Sequence, residues 1–579
     1  MRKRTALWLC LMMIFGLWGT GFSETAEAIP AVIPYGAPMD ATIRVLLQSL
    51  GQRPALGLTL TGSFSVDGDR GFQFEPDTEI KLGVDGQSIA LKTGGVLIDM
   101  GSKFTLMRHL DDDGNAGGAY IHESERDTLF CGDLTFSVRD GSLRVVVAMD
   151  IEEYLYGVVA YEMSEGFPLE ALKAQAVAAR TYAMQRKARN ASQDYDIVDT
   201  TNDQVFKGFD ARYQRPIQAV DETRGIVGRH GNRYADCVYS ASNGGQTALA
   251  TDVWGNSGDY SYLDMRDDPY DLENPDSVVK SATILRDATL MDETLYGLLL
   301  DRVAVALYEK GELEEGEAVG LAEVMAVEAE NPVYGGESRQ YGDIRFTVKP
   351  SVRKFVPAEE GAPQELGDVQ TLEEPVVVTL SFYQEVRGAL NIAINPQNYE
   401  LVEAEETDEG FVLTVRRYGH GVGMSQRGAE WMAKEYGMTY LEILHFYYPG
   451  LQFYEMAWID QSLTHVDSLP DSLGYAAPRP TPRPTPAPLP PLAEGEYYAL
   501  VSVEGVDATL NVREAPTMEA TIVDVIRNGA RLIVMEEMEG GWARMKTAEL
   551  SGYVSMTFIA PENAGESAGE GTEETMHVF

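Results

Sequence analysis

The period of apolar and polar positions changes several times along the chain, and each change marks a part. From Thr42 to Val147, short runs with the alternation of half-buried strands (IRVLLQSL, LTLTGSFSV, IALKTGGVLI, LTFSVRDGSLRVVVAM) are separated by turn clusters. Asp67-Gly68 and Asp140-Gly141 are hairpin signals. The pattern predicts a β-rich subdomain. At Asp150 the period becomes helical: Asp150 with Glu153 predicts a capping box, Leu155, Val158 and Val159 an apolar face, and Glu162 falls at the helix end. After Ser164-Glu165-Gly166, Pro168 opens a longer helix on which Leu169, Leu172, Ala176, Ala179 and Ala183 recur at helical spacing. Alanines on a buried face predict close packing against a neighbour.

Further on, Gly225, Gly228 and Gly231 punctuate short strands, and Tyr234 to Tyr239 is strand-like. The turn Asn243-Gly244-Gly245 could present Ser240, Ser242 and Thr247 to a ligand; taken alone, the stretch favours turn chemistry, since Ser and Asn bond their own backbone in loops. Residues 277–345 carry helical patterning with many acidic side chains and read as an insertion, its acidic face solvated or serving a separate binding role. Residues 346–415 return to strand patterning.

Next comes a glycine-rich loop, Tyr418-Gly-His-Gly-Val-Gly-Met-Ser-Gln-Arg-Gly428, entering a helix that Gly437 ends. Thr439 with Glu442 caps the next helix, which Pro449 stops. The loop lacks the third glycine of a dinucleotide fingerprint and does not fit the G-x-S-x-G elbow. Its glycines permit close backbone approach by a ligand or by another chain segment. His420 then binds substrate, orients a carboxylate, or makes a hydrogen bond inside the loop. Residues 468–494, with APRPTPRPTPAPLPPLAEG, predict a polyproline-II linker. Residues 495–560 predict a small all-β barrel of short strands, and 561–579 a disordered acidic tail.

The 579 residues, 44% of them hydrophobic, suffice for several cores. With 90 acidic against 46 basic residues the net charge is −44, which disfavours nucleic acid and leaves neutral glycans or zwitterionic wall fragments as partners. Arg2, Lys3 and Arg4, an apolar run from Ala6 to Trp18, and Ala26-Glu27-Ala28 predict a signal peptide over 1–28 and a secreted protein; left uncleaved, the same segment would be a membrane anchor. Without Cys10, only Cys131 and Cys237 remain, enough for one disulfide, and neither CxxC nor HExxH occurs.

Glu162 is the residue with candidate chemistry. A helix C-terminus is partially negative, and Tyr161 and Met163 offer an apolar wall, so dipole and desolvation both push its pKa upward, toward what a general acid needs. Taken alone, the stretch favours a solvated charge at a helix end.

Several stretches together, EEYLYGVVAYEM, FPLEALKAQAVAARTYA, NDQVFKGF, AVDETRGIV, YSASNGGQTALATDVWG and GHGVGMSQRGA, resemble the SpoIID/LytB family of stage II sporulation protein D and amidase enhancers. The resemblance runs from about residue 42 to 457, interrupted by the acidic segment. LNVREAPTMEATIVDVIRNGARL and GWARMK resemble a bacterial SH3-like module, which implies wall binding.

The implied fold is α+β: a SpoIID-type domain with β-rich subdomains around a helical active-site core, plus the small barrel. The sporulation branch implies a lytic transglycosylase with Glu162 as acid/base, acting on peptidoglycan glycan strands. The other branch implies a non-catalytic enhancer of a cell-wall amidase. Substrate contacts fall on Ser240, Ser242, Gly244, Gly245, His420, Gly421, Gly423, Ser425 and Gln426. The chain departs from the family's pattern in having Tyr239-Ser-Ala-Ser-Asn-Gly-Gly for His-Ser-Thr-Ser-Gly-Gly, and Arg427 for Tyr. Some relatives place metal-binding His and Cys there; with only Cys237 and the distant His230 at hand, no metal and no cofactor are expected.

Overall fold

The computed structural model describes residues 31–109, 117–122, 127–255, 258–314, 316–356, 365–459, 492–493, 495–503, 509–518, 520, 522–527, 530–538, 540–547 and 550–561. The signal segment, nearly all of the Pro-rich linker, and the tail beyond 561 lie outside the described residues. The chain divides into two units, 1–477 and 478–579. Among the described residues no helix is long and apolar enough to cross a membrane.

The first unit begins as the alternation predicts. Strands Asp133–Arg139 and Ser142–Asp150 form a hairpin around Asp140-Gly141, both at positive φ, and Phe64–Val66 with Asp69–Phe74 turns likewise at Asp67-Gly68. They belong to a seven-stranded sheet that lies beside a six-stranded one, with Leu58, Leu60, Phe64, Phe104, Leu106, Leu134 and Phe136 buried. The strand Ser142–Asp150 also pairs Thr42–Leu46 and runs straight into helix α1 (Ile151–Glu162). Helix α2 (Leu169–Arg189) is buried on all sides from Ala174 to Met184, and Ala171, Ala174, Ala176, Ala178 and Ala179 lose all contact with water. Small side chains let α2 approach α1, α3 (Gln214–Glu222) and the strand Ile226–His230 closely.

After two short helices, α4 (Ala250–Trp254) and α5 (Pro269–Glu273), the chain leaves this core, builds a second one between residues 279 and 416, and returns. In the second core, α6 (Glu293–Lys310) packs Leu295, Leu299, Val303 and Leu307 against sheets that include the hairpin Glu317–Pro332 and Tyr341–Val356. The structure corrects the helical reading of 277–345: among the described residues only α6 and one short turn are helical there. The hairpin strand carries two β-bulges, between Leu321 and Glu323 and between Val324 and Ala326. Each adds a residue to the two-residue repeat, so its buried side chains, Leu321, Val324 and Val327, fall three apart and imitate a helical stripe.

Back in the first core, α7 (Gln426–Glu435) and α8 (Tyr440–Tyr447) follow the glycine loop. Thr439 and Glu442 make the expected capping box. The second unit is the expected small all-β module, with Val501, Leu510, Val512, Leu532, Val534, Ala543, Met545 and Val554 at its centre.

Candidate functional site

Helix α1 is anchored at both ends. Asp150 accepts a hydrogen bond from Glu152 N–H at 2.8 Å, but the capping box is not completed, because Glu153 pairs with Arg108 at 2.7 Å. Glu152 turns inward instead. Fully buried, it meets the equally buried Arg180 of α2 at 2.6 Å, and a second oxygen accepts from Gly225 N–H at 3.0 Å. Arg180 also donates to the carbonyls of Val220 and Ile226, so one ion pair ties α1, α2, α3 and the following strand together.

Glu162 closes the other end of α1. Its carboxyl is pushed up to about 7, chiefly by burial, against hydrogen bonds from Gln426, Val205 N–H and Tyr239 that favour the charged form. No charged neighbour contributes to this shift among the described residues. The Gln426 amide nitrogen lies 3.5 Å from Glu162 Oε2 and 3.4 Å from Gln175 Oε1. Tyr239 accepts from Gln204 Nε2 at 3.1 Å, which leaves its own hydroxyl proton for Glu162; Gln204 in turn accepts from Tyr154 at 3.2 Å. The acid is thus set in a frame of neutral amides and phenols. Among the described residues, Gln175 Nε2 and the hydroxyl of Ser240 are buried with no partner.

A two-residue parallel pair brings the two loops to this frame: Tyr239–Ser240 beside Met424–Ser425. Their crossing explains the glycines. A Cβ on Gly423 would lie 2.1 Å from the Val238 carbonyl oxygen, at a φ of +72°, and one on Gly428 would lie 2.0 Å from the Tyr447 hydroxyl. The close approach is that of another chain segment.

The nine residues expected to touch substrate separate accordingly. Gln426 lies at the frame of Glu162, whereas Ser240, next to Tyr239, has its side chain against Gly419. Ser242 and Ser425 are fully buried, and both hydroxyls donate to Asp271, Ser242 at 2.8 Å. Gly244 N–H also points to Asp271, at 3.2 Å, and Gly245 N–H to the Asn243 side chain, at 2.9 Å. The Gly421 carbonyl accepts from Ala248 N–H. These residues lock the loops around α5, whose N-cap carboxyl, Asp268, is pushed up to about 6 by burial and by Asp271. His420 accepts from Val422 N–H through Nδ1 at 3.0 Å, so its proton sits on Nε2, toward the Tyr239 backbone. Burial and Arg417 lower its pKa to about 4, and the neutral ring meets Trp254 edge-on at 5.0 Å. That is the hydrogen bond inside the loop.

Sequence reasoning missed the frame itself. Gln204 lies in NDQVFKGF and Gln175 in the long helix, both inside stretches that carried the resemblance, but nothing in their spacing points to Glu162. Tyr239 stands where the resemblance expects His, and it is a donor to the acid. Cys131 and Cys237 are both free thiols here, Cys131 pushed up to about 12 by burial.

A family model described as Stage II sporulation protein (SpoIID) matches residues 139–230, which hold α1, α2 and Glu162, and one described as Bacterial SH3 domain matches 508–560. The chain is 28% identical to a Bacillus subtilis protein named Amidase enhancer over 314 residues, 51% of this chain and 39% of that one. It is 26% identical to the Stage II sporulation protein D of the same organism over 344 residues, 57% of this chain and 81% of the other. An uncharacterised Brachyspira hyodysenteriae protein is 28% identical over 60% of this chain and 76% of its own.

Proposed function

Starting from a chain that carries a SpoIID domain and a C-terminal bacterial SH3 domain, we propose that it is an exported peptidoglycan lytic transglycosylase with Glu162 as its single acid/base. The observation that carries this reading is a carboxyl of pKa about 7 held by neutral donors, with no charged partner among the described residues contributing to its shift. Hydrolysis by the usual route needs two carboxylates flanking the bond. An internal nucleophile needs one.

Glu162 gives its proton to the glycosidic oxygen as the bond from N-acetylmuramic acid C1 to that oxygen breaks, releasing N-acetylglucosamine with a free hydroxyl. The carboxylate then takes the proton of the C6 hydroxyl of the same muramic acid as O6 bonds to C1, closing a 1,6-anhydro ring and restoring the acid. Gln426 and Tyr239 steady the carboxylate between the two transfers. Ser240, with its unpartnered hydroxyl, and Gln426 are the contacts proposed for substrate; Ser242, Gly244, Gly245, His420, Gly421, Gly423 and Ser425 serve by holding the loops in register. The SH3 domain would hold the protein to the wall.

The test is mass spectrometry of fragments released from purified peptidoglycan, intact and amidase-stripped. Products ending in 1,6-anhydro-N-acetylmuramic acid are expected. A second reading, an enhancer of a cell-wall amidase, draws on the relative so named. No released sugar, with faster cleavage by an added amidase, would favour it.

The pH dependence has a definite sign. The first transfer needs Glu162 protonated, so kcat/KM is level below the pKa near 7 and falls about tenfold per pH unit above it. Gln426 stabilises the charged form, so Gln426→Ala should move this alkaline limb to higher pH. A limb that stays in place or moves down in the pH profile of the variant would separate it from Glu162.

A further inference from the structure

Gln175 is an unusual side chain for its place. It sits on α2 between Ala174 and Ala176, and no part of it meets water. Its Oε1 accepts from Gln426 Nε2 at 3.4 Å, while its own Nε2 is buried and, among the described residues, has no partner. Burying an amide donor without an acceptor costs stability, and orphaned N–H groups are rarer in folded chains than under-satisfied carbonyls. Full burial also bars water and substrate from that nitrogen as the side chains stand. Only a rearrangement of its neighbours can pair it.

The same Gln426 nitrogen lies 3.5 Å from Glu162 Oε2, so three groups stand in a row: amide, amide, carboxyl. The row is consistent in two directions. With Glu162 ionised, Gln426 points its nitrogen inward and donates to the carboxylate and to the Gln175 carbonyl, and the Gln175 nitrogen is left over. This is the arrangement seen. A side-chain amide is nearly symmetric in shape, and a half-turn exchanges its oxygen and nitrogen. With Glu162 protonated, half-turns of both amides bring the Gln426 oxygen inward, where it accepts from the acid's O–H and from the Gln175 nitrogen. The orphaned donor is then paired, and a carbonyl oxygen takes its former place. A turn of either amide alone fails, because it sets nitrogen against nitrogen or oxygen against oxygen. Gln426 keeps a small exposure, so either of its amide atoms is accommodated at its outer end.

We propose that Gln175 is a positioning residue for Glu162, acting through Gln426: the two amides turn together as the acid gains and loses its proton, so that one frame holds both forms. This deepens the acid/base reading of Glu162 and rests on it. A single acid/base must be protonated for the first transfer and ionised for the second, and the turn gives it a partner in each. The other groups at Glu162 do not titrate alongside it. Tyr239 and Tyr154, the titratable side chains that face it, are both held above the ordinary phenol range by burial, and among the described residues no charged group contributes to its shift. Gln175 biases the pair toward the protonated form, in which its donor is satisfied. The bond from Gln426 to the carboxylate is charge-assisted and so stronger than its neutral counterpart, which biases the other way. Loss of Gln175 and loss of Gln426 therefore move the acid in opposite directions.

The full chain made with isotope-labelled glutamine provides the test by NMR, its two amides assigned from Gln175→Leu and Gln426→Ala. An amide proton moves downfield on gaining an acceptor and upfield on losing one. As the pH falls from about two units above the Glu162 pKa to about two units below it, the Gln175 amide protons should move downfield and those of Gln426 upfield, with one shared midpoint near 7. Glu162→Gln should hold both still. In the pH profile of kcat/KM, Gln175→Leu should move the alkaline limb down by about half a unit to one unit, against the upward move of Gln426→Ala. It should melt no lower than the parent, since leucine leaves no orphaned donor; a merely structural glutamine would lower the melting temperature and leave the limb alone. A Gln175 amide that keeps its unbonded shift throughout, or a limb that Gln175→Leu leaves in place, would overturn the role of Gln175 while leaving that of Glu162 standing. A parent that releases no anhydro product would overturn the transglycosylase reading, and the amide spectra, which need no turnover, would still decide the turn.

Discussion

Glu162→Gln should cost about 10²–10⁴ in kcat on glycan strands, the range contributed by a positioned general acid. The change is nearly isosteric, and an amide cannot deliver a proton to the leaving oxygen or take one from C6. Stability provides the control. Because the folded pKa of Glu162, about 7, stands above its ordinary value of 4.5, ionising it is harder in the folded protein than in the unfolded one. Folding therefore loses free energy as pH rises from the lower value through the higher. Glutamine carries no such penalty, so at neutral pH the variant should melt at the same temperature as the parent or above it. Turnover lost with the melting temperature kept would assign the loss to chemistry; turnover kept would remove Glu162 from the mechanism.

The second large effect is structural. Arg180→Met takes the bonded ion-pair partner from the fully buried Glu152 carboxylate, and breaking such a pair from one side costs about 3–5 kcal/mol. The loss should appear as a lower melting temperature and as faster proteolysis. Adding Glu152→Leu to Arg180→Met should recover most of it, since replacing both partners by apolar groups is often near neutral. The recovery should be incomplete, because Gly225 N–H then loses its acceptor, at about 1–3 kcal/mol. A single variant as stable as the parent would mean that the pair does not hold α1 against α2.

Local signals in the sequence were read well where the chain answers them locally. The Asp-Gly hairpins, the Thr439–Glu442 box and the place of Glu162 at the end of α1 each depend on a few neighbouring residues. The misreadings arise where a distant partner wins. Glu153 was read as a cap and is taken by Arg108, 45 residues earlier. The bulged hairpin took on a helical period because each bulge restores inward direction one residue late. The frame around Glu162 was not legible, since Gln175, Gln204, Tyr239 and Gln426 sit on four separate segments. The glycine loop was legible as a place of close approach, but only the fold shows that the approaching group is the chain itself.

The excursion of the chain into a second core sets an order of assembly. Gln426 stands 264 residues after Glu162 in sequence, and the path between them runs through the whole second core. Closing so long a loop costs entropy that only the finished contacts repay, and contacts of such separation form late. A chain made from its N-terminus completes α1 and α2 long before residue 417 exists, and throughout that interval Glu162 has no Gln426 beside it. A copy cut short between Glu162 and Gln426 keeps the acid and lacks its setting, so the site is complete only once the chain has returned from the second core.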